Sequence, residues 1–180
     1  MPPLRALKVA ICTNRAPAAV SPCLGELAAQ GLSPADLVLV VSGGDEPAAR
    51  AHEEALERIL PRARVLREPR PGLSLARNAA LAACADGDVL AFVDDDAIPG
   101  EGWLAGLRAA WENARDEVAA IGGPIRPRFL APRPGWLADA MLPALTVLDS
   151  LLGLRASSVP HGSGPLRLRN PRFERLVNGS

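Results

Sequence analysis

Asp88-Val89-Leu90-Ala91-Phe92-Val93-Asp94-Asp95-Asp96 decides how the chain is read. The run from Val89 to Val93 is apolar at every position. A strand made from it needs cover on both faces, so a central strand between two packed layers is expected. The strand must end where the aspartates begin. Three adjacent carboxylates repel one another, and holding them close costs free energy unless something positive sits among them. A divalent cation meets that need: Mg²⁺ and Mn²⁺ take oxygen ligands, and Mg²⁺ typically binds one or two protein carboxylates while keeping water and phosphate oxygens. Extended residues two apart point the same way, so Asp94 and Asp96 are expected to face one site and Asp95 to point elsewhere. The plainer alternative is an acidic turn that solubilises a strand end or caps the next helix.

Working outward, the same plan recurs upstream. Leu7-Lys8-Val9-Ala10-Ile11-Cys12 is a short apolar run stopped by Thr13-Asn14-Arg15, and Val20 to Gln30 carries apolar residues at helical spacing. Asp36 to Val41 is a second, β-branched run, halted by Ser42-Gly43-Gly44-Asp45 and followed by a helix-forming stretch from Glu46 to Leu60. Arg64 to Arg67 reads as a weaker strand, Pro69 to Gly72 as a turn, and Ser74 to Ala85 as a helix capped by its serine. Downstream, Trp103 to Asn113 reads as a helix and Val118 to Ile121 as a strand that continues the alternation. This order predicts an α/β fold with a mainly parallel sheet and helices on both faces. Such sheets bind ligands at the carboxyl ends of their strands. The loops at Thr13, Ser42 and Asp94 all lie at that edge, so three separate segments are expected to converge on one crevice.

With 180 residues, 48% of them hydrophobic, the chain can bury one substantial core. Its 20 basic and 20 acidic side chains cancel, which removes the positive field of a nucleic-acid-binding surface. Met1 to Lys8 lacks the apolar run of a secretory signal, and Cys12, Cys23 and Cys84 match neither a zinc pattern nor a disulfide framework. They read as buried thiols in a reducing, cytoplasmic compartment. After Gly123 the composition shifts to Pro and Arg, then to an apolar stretch from Gly135 to Gly153. Asp139 and Asp149 make a membrane span of that stretch unfavourable. Leu137, Met141, Leu145, Leu148 and Leu152 fit one face of a kinked helix, packed on the domain or lying on the inner face of a membrane as a peripheral contact. Gly, Ser, Pro and Arg dominate from Arg155 onward, as in a poorly ordered tail. The expected divisions are 1–127 for the ligand-binding domain, 128–154 for the Pro/Arg-rich loop and apolar helix, and 155–180 for the tail.

The ordered set of motifs resembles the family 2 glycosyltransferases of the GT-A fold. There a hydrophobic strand ends in an Asp-any-Asp motif, followed by a proline and an aromatic-Leu pair, here Pro99 and Trp103-Leu104. Val9 to Arg15 is similar to the family's first strand and nucleotide-contacting loop, Gly72-Leu73-Ser74-Leu75-Ala76-Arg77-Asn78 to its Gly-any-any-any-Ala-Arg-Asn segment, and Gly122-Gly123 to its glycine pair. The resemblance covers about Leu7 to Pro127. It implies a nucleoside-diphosphate-sugar donor held with Mn²⁺ or Mg²⁺. Asp94 would approach the ribose or sugar, Asp95 would lie at the substrate, and Asp94 and Asp96 would serve the metal. Arg77 would hold the diphosphate, and Asn78 would contact donor or loop. Thr13 and Arg15 would contact base or phosphate, and Cys12 would belong to the core.

Two features depart from that pattern. The family's second strand runs into an aspartate that meets the base, whereas Ser42 follows Val41 here. Either Asp45 reaches back through Gly43-Gly44, or Ser42 makes a weaker contact. The family's later Glu-Asp type motif, source of the general base, is also not visible. Beyond Pro127 the acids are Asp139, Asp149 and Glu174, and none has a matching context. The expected function is therefore a metal-dependent glycosyltransferase, or its donor-binding part, acting on a lipid-linked or cell-envelope acceptor. The alternatives are a truncated or non-catalytic nucleotide-sugar-binding domain and, ranked below it, a nucleotidyltransferase, whose glycine-rich phosphate loop has no counterpart at Thr13 to Pro17.

Overall fold

A computed structural model describes residues 6–114, 118–145, 159 and 160. The chain divides into two compact units, Met1–Glu112 and Asn113–Ser180. In the first, β1 (Leu7–Thr13), α1 (Pro17–Ala29), β2 (Leu37–Ser42), α2 (Glu46–Ile59), β3 (Val65–Glu68), α3 (Leu73–Ala82), β4 (Val89–Asp94) and α4 (Trp103–Glu112) follow one another. The four strands form one parallel sheet in the order β3-β2-β1-β4.

The alternation of β1 sorts its residues onto two cores. Leu7, Val9 and Ile11 join Val20, Cys23, Leu24 and Leu27 of α1, Leu39 of β2, Leu56 of α2 and Leu104 of α4 in the larger one. Fully burying each of these branched side chains contributes about 1.5–3 kcal/mol. On the opposite face Ala10 and Val40 meet Ala76 and Ala80 of α3. Small residues there let α3 lie close to the strands. Helices therefore cover both faces, as the sequence pattern predicts.

Several local expectations change. Helix α1 starts at Pro17, a residue suited to the first helical turn because its missing N–H has no partner there anyway. Helix α3 begins after Gly72 (φ 143°) with no side-chain cap, so Ser74 sits inside the first turn instead of capping it. Among the described residues β4 is an edge strand, not a central one: β1 is its neighbour on one side, and Phe92 keeps 41% of its surface exposed. In the second unit, β5 (Val118–Ala120), expected to continue the alternation, has another partner. It pairs antiparallel with β6 (Val159–Pro160). Of the segment from residue 155, those two positions alone are described, and they form a strand.

The expected kinked helix also differs. Asp139–Leu145 is a 3₁₀-helix preceded by buried Leu137, whereas Met141 is exposed. Proline at position 143 lacks the N–H that an α-helix would need there. Leu148 and Leu152 lie outside the described residues. No described helix is long and apolar enough to cross a membrane.

Candidate functional site

The chain runs from β1 to β2 to β3 on one side of β1, then places β4 on the other. Connections leaving in opposite directions open a gap at the carboxyl ends of β1 and β4, the topological switch point where parallel sheets bind ligands. A crevice of about 390 Å³ lies there. It is lined by residues 12–15 at the end of β1 and just beyond it, Ser42 at the end of β2, residues 94–96 from the end of β4 onward, and Gly72, Leu73 and Ala76 at the start of α3. The three expected loops converge, and the segment opening α3 joins them. A larger, shallower hollow beside α2 and β3 is lined by charged residues such as Glu53, Glu57 and Arg64, away from the strand ends.

Strand β4 ends at Asp94, and the Ala97 N–H closes a turn onto the Asp94 carbonyl at 3.1 Å. The up-down alternation of a strand therefore does not extend through the triplet, and Asp95 does not point away. Its carboxylate accepts a hydrogen bond from the Thr13 hydroxyl at 2.5 Å. The same hydroxyl oxygen accepts the Arg15 N–H at 3.0 Å. Thr13 is buried, and its side chain is engaged entirely within the loops. Arg15 turns its guanidinium back over the turn, with Nη1 3.1 Å from Asp96 and 3.6 Å from Asp95. On the other flank Arg77 of α3 lies 3.8 Å from Asp94 and 5.5 Å from the centre of the Phe92 ring. Three carboxylates thus face two guanidinium groups. Asp94 and Asp96 are open to solvent, at 78% and 69% side-chain exposure, and Asp95 is enclosed at 15%.

Ser42 stands at the crevice wall, buried, and its hydroxyl accepts the Gly72 N–H at 3.1 Å while facing the Arg70 and Gly72 carbonyls. It pins the turn before α3 to the end of β2. Gly43 helps: at φ 70°, any Cβ would come within 2.9 Å of Pro71, so only glycine allows this approach. Asp45 caps α2 by accepting from the Ala48 N–H at 3.0 Å and lies outside the crevice lining. Asn78 is exposed on α3, also outside the lining. Cys12, expected in the core, is half-buried: it packs against the smaller core cluster and also lines the crevice. Burial pushes its thiol above the ordinary 9.0, with the Arg77 charge opposing and the Asp94 charge adding to the rise. Cys84 is likewise half-buried, and Cys23 alone of the three is fully buried.

One positioning residue escaped the sequence reading. Gln30, just past α1, donates to the Gly100 carbonyl at 2.9 Å and accepts the Leu104 N–H at 3.0 Å. It ties the segment after the acidic turn to the end of α1. A glutamine two residues before a leucine carries no motif, so its role depended on the tertiary fold.

Among the described residues no three His, Cys, Asp or Glu side chains converge as a closed metal cage. The turn instead offers two open carboxylates beside two arginines, an arrangement that suits a cation sharing its coordination shell with a polyanionic ligand.

Comparison with known proteins gives one family model, described as Glycosyl transferase family 2, over residues 9–170. The chain is 35% identical over 138 residues to the succinoglycan biosynthesis protein ExoM of Rhizobium meliloti (strain 1021), covering 73% of this chain and 42% of that protein. It is 30% identical over 113 residues to the glucosyl-dolichyl phosphate glucuronosyltransferase of Haloferax volcanii, covering 62% of this chain and 34% of that one. The chain thus spans less than half the length of either curated relative. No solved structure matches it significantly.

Proposed function

The chain belongs to glycosyl transferase family 2, and on that premise we propose that it binds the nucleoside-diphosphate sugar of a glycosyl transfer in the crevice between β1 and β4. The observation that carries this reading is the grouping of the Asp94–Asp96 turn with Arg15 and Arg77 at the switch point of the sheet. Asp94 and Asp96 have the exposure and chemistry to hold Mn²⁺ or Mg²⁺ together with phosphate oxygens. Such a cation neutralises charge on the departing diphosphate.

The chain's own residues do the rest of the work. Arg15 and Arg77 present forked donors toward the diphosphate from two sides. Thr13 and Asp95 fasten the β1 loop to the β4 turn, so the two anion-facing elements keep one geometry. Ser42 and Gly72 shape the wall beside the base, where the family's aspartate is replaced by a hydroxyl already bonded within the protein. Saturable, cation-dependent binding of uridine or guanosine diphosphate-sugars by the folded chain is expected. Binding of neither class would overturn the reading.

A second reading, donor binding without turnover, is favoured because, among the described residues, the triplet supplies the only carboxylates of the crevice lining. Asp139 is tied to Arg133 at 2.7 Å, and Asp149 and Glu174 lie outside the described residues. Incubation with a donor separates the two readings: transfer to an acceptor or hydrolysis requires a base, and intact donor supports the second.

For the acceptor we propose a lipid-linked or cell-envelope glycan, the class to which the glucosyl-dolichyl phosphate of one relative's name belongs. Within the second unit Ile125, Phe129, Leu130, Trp136 and Met141 are exposed, interleaved with Arg126, Arg128 and Arg133 and one acid, Asp139. Exposed apolar and aromatic residues set among arginines suit an anionic lipid surface.

A further inference from the structure

We infer that Arg15 is an exchangeable internal counter-ion of the acidic turn, paired with Asp96 in the structure and transferred to the diphosphate when a cation takes its place. The inference rests on the donor-site reading and adds to it a competition between Arg15 and the cation for Asp96.

One nitrogen of Arg15, Nη1, lies 3.1 Å from Asp96 and 3.6 Å from Asp95, between two carboxylates that repel each other. Asp96 is also one of the two open carboxylates, with Asp94, that would hold a cation. The guanidinium and a divalent cation would compete for its carboxylate, so each weakens the other's hold on Asp96. The backbone and head of Arg15 are differently constrained. Its N–H is fixed to the Thr13 hydroxyl, which in turn is bonded to Asp95. Its side chain is 48% exposed and holds Asp96 through an open ion pair with a 69% exposed partner. Pairs of that exposure are worth about 0–1 kcal/mol, so they break readily. The residue is therefore anchored at the crevice and free at its tip. Arg77 differs in both respects: it is 3.8 Å from Asp94 and lies over the Phe92 ring, which holds it in place when the carboxylate is taken.

Charge balance gives the exchange its direction. Three carboxylates and two arginines leave the turn one negative charge in excess. A cation arriving without a nucleotide must displace Arg15 into solvent. A cation arriving with a diphosphate gives the displaced guanidinium a new anionic partner a short swing away. Arg15 thus disfavours the cation alone and favours the cation with the nucleotide.

Titration of Mn²⁺, followed by the loss of the free-ion paramagnetic resonance signal, tests this in wild type, Arg15→Gln and the control Arg67→Gln, whose arginine lies outside the crevice lining and pairs with Glu46. Arg15→Gln is expected to bind Mn²⁺ alone up to about fivefold more tightly, the factor equivalent to one exposed pair. Arg67→Gln is expected to match wild type. With Mn²⁺ present, Arg15→Gln is expected to bind uridine or guanosine diphosphate more weakly than wild type, so the single change acts with opposite signs on the two ligands. Equal or weaker Mn²⁺ binding by Arg15→Gln, while wild type binds the ion, overturns the inference and leaves the donor site standing. Equal tightening by Arg67→Gln also overturns it, because net charge alone then explains the effect. Failure of all three proteins to bind Mn²⁺ overturns the metal reading and the inference with it.

Discussion

The hydroxyl of Thr13, at the end of the first strand, donates to the carboxylate of Asp95, just past the end of the fourth, at 2.5 Å. The two residues are 82 positions apart in sequence and close the switch point from opposite sides. The bond carries a full charge at a site only 15% exposed at the aspartate, where water competes poorly. It also sets the spacing between the loop that carries Arg15 and the turn that carries Asp94 and Asp96.

Replacing Thr13 by valine keeps the shape and removes the donor. Hydrogen bonds to charged groups are worth roughly 1.5–3 kcal/mol, so a loss of stability of about that size is expected. Thr13→Ser should recover most of it. Urea unfolding of the three proteins measures the difference; a Thr13→Val midpoint equal to wild type would show that the tie contributes nothing.

Glu68, at the end of β3, makes the acid-sensitive contact beside the crevice. Hydrogen bonds from the Arg70 side chain, then from its backbone N–H, hold the Glu68 carboxyl below its ordinary 4.5. A lowered folded-state value means that the stabilisation is complete above the unfolded value and disappears as pH falls through the folded one. Wild type and Glu68→Gln should therefore differ in unfolding midpoint at pH 7 and converge below pH 4.5. A gap that stays constant down to pH 3 would assign the difference to packing instead.

The three cysteines should report their surroundings through alkylation. Burial, reinforced by the charges of Asp95, Asp94 and Asp96, pushes the Cys23 thiol up to about 12. Because that value is raised, the thiol favours the folded state below pH 9 and the advantage fades as pH climbs toward 12. At pH 8 iodoacetamide should leave Cys23 untouched until the protein unfolds and modify Cys12 and Cys84 slowly. A bound nucleoside diphosphate should slow Cys12 and not Cys84, because Cys12 lines the crevice. Peptide mass mapping at timed intervals gives the rates, and equal protection of both would remove Cys12 from the ligand's neighbourhood.

Much of this was legible in the sequence, for identifiable reasons. Apolar runs halted by polar loops gave β1, β2 and β4; burial on both faces leaves β1 and β2 little choice of conformation, while β4 pairs with β1 yet keeps Phe92 exposed. Loops that end parallel strands must share one edge, which brought Thr13, Arg15, Ser42 and Asp94–Asp96 together. What the sequence hid was register and turn geometry. The alternation expected of Asp94–Asp96 fails because a turn begins at Asp94, and nothing local announces it. Asp45 offered a carboxylate near the crevice, but the helix end beside it takes that carboxylate as a cap. The pairing of β5 with β6 was beyond reach, because a three-residue strand carries too little pattern to fix its partner.

The second unit's exposed apolar residues give a separate test. Trp136 is 73% exposed, so its emission should shift to shorter wavelength on phosphatidylglycerol vesicles and the shift should vanish in Trp136→Phe. Each arginine near an anionic surface adds about 1 kcal/mol, so Arg126→Gln with Arg128→Gln should weaken partitioning by at least tenfold. An equal response on phosphatidylcholine vesicles, or self-association in place of lipid binding, would contradict the lipid-facing role.

Calorimetric titration of the folded chain with uridine and guanosine diphosphate-sugars, with and without Mn²⁺, reaches the central claim most directly when wild type is set beside Asp94→Asn/Asp96→Asn. Both aspartates are exposed, so the double variant should unfold within about 0.5 kcal/mol of wild type. The account predicts that wild type binds one donor class in a Mn²⁺-dependent way and that the double variant loses that dependence, with affinity down at least tenfold. Donor binding that is the same in both proteins, or indifferent to the cation in wild type, would contradict it.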